Sequence, residues 1–194
     1  MPRLSEGNSK LGREVLTYSR APEVTCPGAS DWCKLACYAK RPFERYENTN
    51  SQWSRNAEKR LAPKLPPPRR DGKRRLLRIH VSGDFDTALY VRSWVKMLRD
   101  RPDVSAWAYT RSWRRKRLLR ALEELRALPN MRLFASVDTS MEEEPPAGWR
   151  VAFIEGDGRF SGPLCMEQTG AKESCAACGY CFRGRGGNIA FRQH

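Results

Sequence analysis

Seven cysteines fall into two groups, and their spacing is the first feature of this chain that can do chemistry. Cys26, Cys33 and Cys37 lie in one short segment, TCPGASDWCKLACYAKRP, at x6 and x3 spacing. Cys165, Cys175, Cys178 and Cys181 lie near the end, where two C-x2-C steps overlap. No cysteine occurs between residues 38 and 164. An odd total argues against a disulfide framework, and structural cysteines scattered through a core do not cluster in this way. Metal ligation is the reading that the spacing favours. Three thiolates from one loop occupy three corners of an iron–sulfur cubane, or three positions on zinc, and leave one position open. Four close a site. The first group is expected to form an open iron–sulfur or zinc site, unless a distant fourth ligand such as His80 or a carboxylate closes it, and the second a [4Fe-4S] cluster or zinc, with the x2–x2 run tilting toward iron.

The elements that must position these groups alternate between two periods. Residues 14–19 (EVLTYS) read as a strand that feeds the first cysteine loop, and residues 43–62 as a helix ending near Pro63. Residues 63–75, PKLPPPRRDGKRR, are Pro-rich and basic, and predict an exposed linker. Beyond it come strands at 76–82, 104–110, 131–137 and 149–155, with amphipathic helices at 87–99 and 112–128. Strand and helix in turn predict an α/β fold with a mainly parallel sheet, whose ligands lie past the carboxyl ends of the strands. There the sequence places Ser82-Gly83-Asp84, Thr110-Arg111-Ser112 and Ser136-Val137-Asp138-Thr139. Taken singly these are ordinary turn and cap residues; together, beside a cysteine loop, they suggest a pocket. His80 either faces that pocket or is a satisfied core histidine. Glu142, Glu143 and Glu144 read as a solvated turn, and Asp157 as either a pocket carboxylate or a turn residue.

With 36 Lys plus Arg against 22 Asp plus Glu, the net charge is +14, which favours a polyanionic partner such as DNA or RNA. No apolar run is long enough for a membrane span and the first residues lack a signal-peptide core, so a cytoplasmic protein without a membrane partner is expected. Neither a Ser-His-Asp order nor a phosphate-cradling glycine loop is present.

The layout resembles the radical S-adenosylmethionine superfamily, in which three cysteines after the first barrel strand hold a [4Fe-4S] cluster. That resemblance implies S-adenosylmethionine on the open iron. It places Ser82, Gly83, Asp84, Thr110, Ser136 and Asp138 around the methionine and ribose groups, and implies an external electron donor. Two differences stand out: x6–x3 cysteine spacing in place of x3–x2, and an aromatic, Tyr38, after the last cysteine. A closer likeness, carried by TCPGASDWCKLACYA, HVSGDF, AYTRS, CAACGYCF and NIAF, is to the gene-product-88 type proteins of phages. It implies a phage or mobile-element setting and, for a phage protein, the host cytoplasm.

The expectation is therefore a partial, open parallel β/α barrel of about five strands, TIM-barrel-like, over residues 1–160. A small four-cysteine metal-binding lobe with a basic tail follows over 161–194. The leading functional reading is a radical-SAM-like iron–sulfur enzyme acting on nucleic acid. The alternative is a basic nucleic-acid-binding protein braced by zinc or a structural cluster, without catalysis, in which Trp107, Tyr109 and Trp113 offer stacking surfaces.

Overall fold

Alternating apolar residues build one sheet of seven strands whose spatial order follows the chain; the computed structural model describes residues 2–184 and 186–193. The strands are β1 (Ser5–Glu6), β2 (Leu16–Tyr18), β3 (Arg75–Ile79), β4 (Val104–Thr110), β5 (Met131–Ser136), β6 (Arg150–Ile154) and β7 (Ile189–Phe191). β1 is antiparallel to β2, and β2 to β7 are parallel neighbours throughout. The helices are α1 (Asp31–Leu35), α2 (Lys40–Arg45), α3 (Glu47–Glu58), α4 (Ala88–Asp100), α5 (Lys116–Arg126), α6 (Cys175–Cys178) and α7 (Tyr180–Arg183).

Period-two alternation along each strand sends side chains to two different apolar layers. Leu77, Ile79, Val104, Ala106, Ala108, Leu133 and Val151 face α4 and α5, where Trp94, Leu98, Leu118, Leu122 and Leu125 complete the main core. The three- and four-residue steps of those helical residues produce the buried stripes that the sequence predicts. Trp107, Tyr109 and Phe134 point the other way. There Trp107 packs on Phe182 of α7 with ring centroids 4.9 Å apart, and Val15 and Ala176 join the same layer.

This architecture corrects the expected five-strand partial barrel. The sheet is mixed and has seven strands, because a two-residue strand pairs antiparallel at the start and NIAF supplies a last parallel strand beside β6. The expected cysteine-rich metal lobe is not seen either. The Cys175 and Ala176 amides donate to the carbonyls of Lys10 and Leu11 at 2.9 and 3.0 Å, so α6 and α7 form a layer on the sheet. The helix expected over 43–62 is broken at Tyr46, where extended backbone separates α2 from α3. The Pro-rich segment is exposed apart from Pro63 and Leu65, which are buried, and Arg75, which is partly buried. No helix among the described residues is long and apolar enough to cross a membrane.

Candidate binding cavity at the carboxyl edge of the sheet

The polar residues at the strand ends are placed by one another. The chain leaves β3 through His80, whose φ of 58° lies in the left-handed region, and turns back past Ser82 and Asp84. Ser82 donates to the Arg20 carbonyl at 2.9 Å, tying this turn to the end of β2. Asp84 stitches β3 to β4. Its carboxylate accepts from Thr110 Oγ1 at 2.6 Å and from the amides of Phe85, Arg111 and Ser112 at 2.7, 2.8 and 3.1 Å. Burial raises the Asp84 pKa, and those hydrogen bonds offset only part of the rise.

Asp138, beyond β5, fixes the first cysteine loop. It accepts from Ser30 Oγ at 2.7 Å and from Ser140 Oγ at 2.6 Å, and pairs with Arg111 at 3.2 Å. Burial works to raise its pKa, but the two serine hydroxyls and the Arg111 charge overcome that and hold it below the usual carboxylate value. Ser30 is also the N-cap of α1, accepting from the Cys33 amide at 3.0 Å, so one hydroxyl couples the loop to the sheet edge. From the other side, Arg114 donates to the Gly28 carbonyl at 3.1 Å and Arg115 to the Pro27 carbonyl. A Cβ on Gly28 would stand 2.0 Å from the Arg111 carbonyl oxygen, so only glycine permits this approach.

These ties enclose a cavity of about 250 Å³. Cys26, Cys33, Cys37, Ser82, Gly83, Asp84 and Ser136 all line it, joined by Arg78, His80 and Arg111. Thr110 and Asp138 stand behind its wall and hold Asp84 and Ser30 in place. A second cavity of about 380 Å³ shares Tyr38, Arg78, Val81, Tyr109 and Phe191 with the first and reaches Cys165 and Cys175. The four late cysteines surround a third space of only about 20 Å³, where the Tyr109 hydroxyl donates to Cys181 Sγ at 2.9 Å.

The cysteines thus gather in two groups, one along the first cavity and one around the third. Among the described residues, no group of three or more His, Cys, Asp or Glu side chains is disposed to hold a metal ion. Burial, reinforced by the Asp84 charge, pushes the Cys26 thiol up to about 12, and burial does the same to Cys175. It also raises Cys33 and Cys181. This arrangement overturns the expected open-site [4Fe-4S] cluster, the second cluster or zinc, and the S-adenosylmethionine that the first cluster was to bind. The radical-SAM-like enzyme reading goes with them.

Other expectations resolve individually. Trp107 and Trp113 are buried and offer no stacking face, while Tyr109 has Arg78 over its ring. Glu142, Glu143 and Glu144 are exposed, and Glu143 pairs with Arg114 at 2.6 Å. Asp157 is a buried turn residue whose pairing with Arg159 at 2.8 Å lowers its pKa; Arg159 in turn donates to the Met141 and Asp138 carbonyls. His80 touches the cavity and sits in the core, its Nε2 2.8 Å from the Tyr90 hydroxyl while its Nδ1 is buried without a partner. Sequence reasoning missed Arg78 and Arg20. Arg78 sits on β3 at a position that alternation alone assigns to solvent, and Arg20 lies just past the end of β2.

Burial, with the Arg20 and Arg78 charges adding to it, holds the His80 pKa well below its ordinary 6.5. The folded form therefore binds fewer protons than the unfolded chain once pH falls below about 6.5. His80's contribution to stability is complete above that pH and declines as pH drops toward its folded value, by at most about 1.4 kcal/mol per pH unit. His80→Asn, which tolerates the left-handed backbone, should flatten this part of the stability–pH profile in urea titrations between pH 7 and 5. An unchanged slope would assign the dependence to another group.

Geometrically, this is an α/β protein with a cysteine-lined cavity at the carboxyl ends of the parallel strands of a mixed sheet. The chain belongs to the gene product 88 family, whose model matches residues 2–184. It is similar to the Gene 88 protein of Mycobacterium phage L5, 28% identical over 207 residues, covering 83% of this chain and 79% of that protein. The Gene 88 protein of Mycobacterium phage D29 is 28% identical over 206 residues with the same coverage. No solved structure matches the chain.

Proposed function

We propose that this protein binds the sugar–phosphate backbone of DNA or RNA along the carboxyl edge of the sheet, without catalysing a reaction on it. The observation that carries the reading is the charge at the start of α5. Arg114, Arg115, Lys116 and Arg117 are consecutive, and the last three are exposed. The first turn of α5 contains no acidic residue and its N-cap makes no side-chain hydrogen bond. A helix N-terminus already carries partial positive charge, so stability alone selects Asp or Glu there. Among the described residues, neither Lys116 nor Arg117 has an ion-pair partner. Cations kept against the helix dipole are suited to a polyanion. The net charge of +14 supplies the long-range attraction.

The Pro-rich segment 63–75 is also cationic but precedes β3, at the amino edge of the sheet. Its Arg69 is committed to Asp71 at 2.5 Å. One short strand of nucleic acid on the α5 edge does not need it.

Fluorescence anisotropy with a labelled 20-nucleotide single strand and a 20-base-pair duplex, from low to moderate salt, tests the proposal. Binding should weaken with salt with a log–log slope of about 0.9 per phosphate contacted on duplex and about 0.7 on single strand. Salt-independent binding, or none at low salt, contradicts it.

A further inference from the structure

Among the described residues, Arg78 is a cation buried without a counter-charge. Arg78 is 9% exposed, on the strand face opposite the main core, with its guanidinium carbon 4.0 Å above the centre of the Tyr109 ring. Its hydrogen bond to the His80 carbonyl is long, 3.4 Å, and its Nε is buried with no partner. No carboxylate pairs with it among the described residues. Arg20, equally buried, shows what the fold does elsewhere: it donates to three carbonyls and pairs with Asp86 at 2.9 Å. An arginine keeps its charge when buried, and a buried charge left unpaired is strongly unfavourable. The ring beneath Arg78 offsets only part of that.

Its place makes the imbalance informative. Arg78 belongs to the walls of both the first and the second cavity, with Tyr38, Val81 and Phe191 common to the two linings as well. Taken together, volumes of about 250 and about 380 Å³ fall in the range of small-molecule sites. Ser82 and Ser136 line the first cavity, Asn8, Lys10, Glu167 and Gln168 line part of the second, and Val81, Trp107, Tyr109 and Phe191 give the space its apolar surface. Arg111, the other arginine of the wall, is already paired with Asp138, and Asp84 adds a carboxyl group to the same lining. The space therefore suits one oxyanion and disfavours several. A guanidinium fork matches a phosphate in shape and charge.

We propose that the joined cavity binds a small phosphate monoester of mononucleotide size. Its phosphate pairs with the Arg78 guanidinium, and its ring system lies along Val81, Tyr109 and Phe191. This site is separate from the α5 rim: none of residues 114–117 lines it. It can fail while nucleic-acid binding stands, or stand while that fails.

Calorimetric titration with deoxyadenosine 5′-monophosphate, inorganic phosphate and hexanoate tests it on the full chain. The nucleotide should bind more tightly than phosphate alone, and hexanoate should not compete. Arg78→Met, which keeps the stem over Tyr109, should weaken the nucleotide about tenfold or more. Wild-type protein gives a second readout that needs no variant. Cys37 lines the cavity, so saturating nucleotide should slow its alkylation by iodoacetamide. Three results each overturn the proposal: no nucleotide binding with unprotected Cys37, equal affinity in a folded Arg78→Met protein, or preference for hexanoate. If Arg78→Met does not fold, protection of Cys37 decides.

Discussion

Arg20→Met should destabilise the protein by about 3–5 kcal/mol, the usual penalty for breaking a buried ion pair from one side. Arg20 has no exposed surface. Its guanidinium donates to the carbonyls of Asn56, Asp84 and Ala57, pairs with Asp86, and lies 4.3 Å from the Tyr90 ring centre. Methionine fills much of the stem's volume but supplies none of the donors. Three carbonyls and a half-buried carboxylate then lose partners at once. Those partners join α3 to the turn after β3, so the loss reaches the Asp84 network as well. With total stabilities near 5–15 kcal/mol, such a change shifts the urea midpoint far to the left. A loss below about 1 kcal/mol would mean that the site rearranges or admits water, and that this cluster does not fix the sheet edge.

The second large effect is on binding and runs opposite in sign to stability. Lys116→Glu with Arg117→Glu should weaken nucleic-acid binding on the order of 100-fold at low salt and lower the log–log salt slope by about 2. The same pair places carboxylates at the N-terminus of α5, where each is worth roughly 0.3–1 kcal/mol. The variant should therefore unfold at equal or higher temperature than the wild type while binding worse. Stability sacrificed at a functional surface has this signature. A variant that loses stability along with binding would point to general damage, and one that binds normally would clear α5 of the role.

Much of the fold was legible from alternation alone. VSAWAYT is a strand over its full length, and the stripe of Tyr90, Val91, Trp94, Val95 and Leu98 is buried as its spacing implies. The polar strand ends do gather at one edge, with Ser82, Asp84 and Ser136 in the wall of the cysteine cavity. Two kinds of residue misled. β1 and β7 are two and three residues long, too short for period two to register, and both exist only because a neighbouring strand offers a free edge. The cysteines misled differently. Spacing along the chain reports which side chains share a loop, whereas ligation depends on where their sulfurs point and whether they lose protons. Among the described residues no side-chain group disposed to hold a metal ion is found, and no spacing rule contains that outcome. Arg78 escaped notice for the same reason. Between Leu77 and Ile79 it reads as the solvent face of a strand, until the chain beyond Cys165 returns to cover that face.

Photo-crosslinking bears most directly on the proposed role. A single-stranded oligonucleotide carrying 4-thiothymidine, irradiated with the full-length protein at low salt, would be mapped by peptide analysis. Crosslinks concentrated in residues 111–120 and the adjoining cysteine loop are the predicted result; crosslinks confined to 63–75, or scattered without preference, would contradict it.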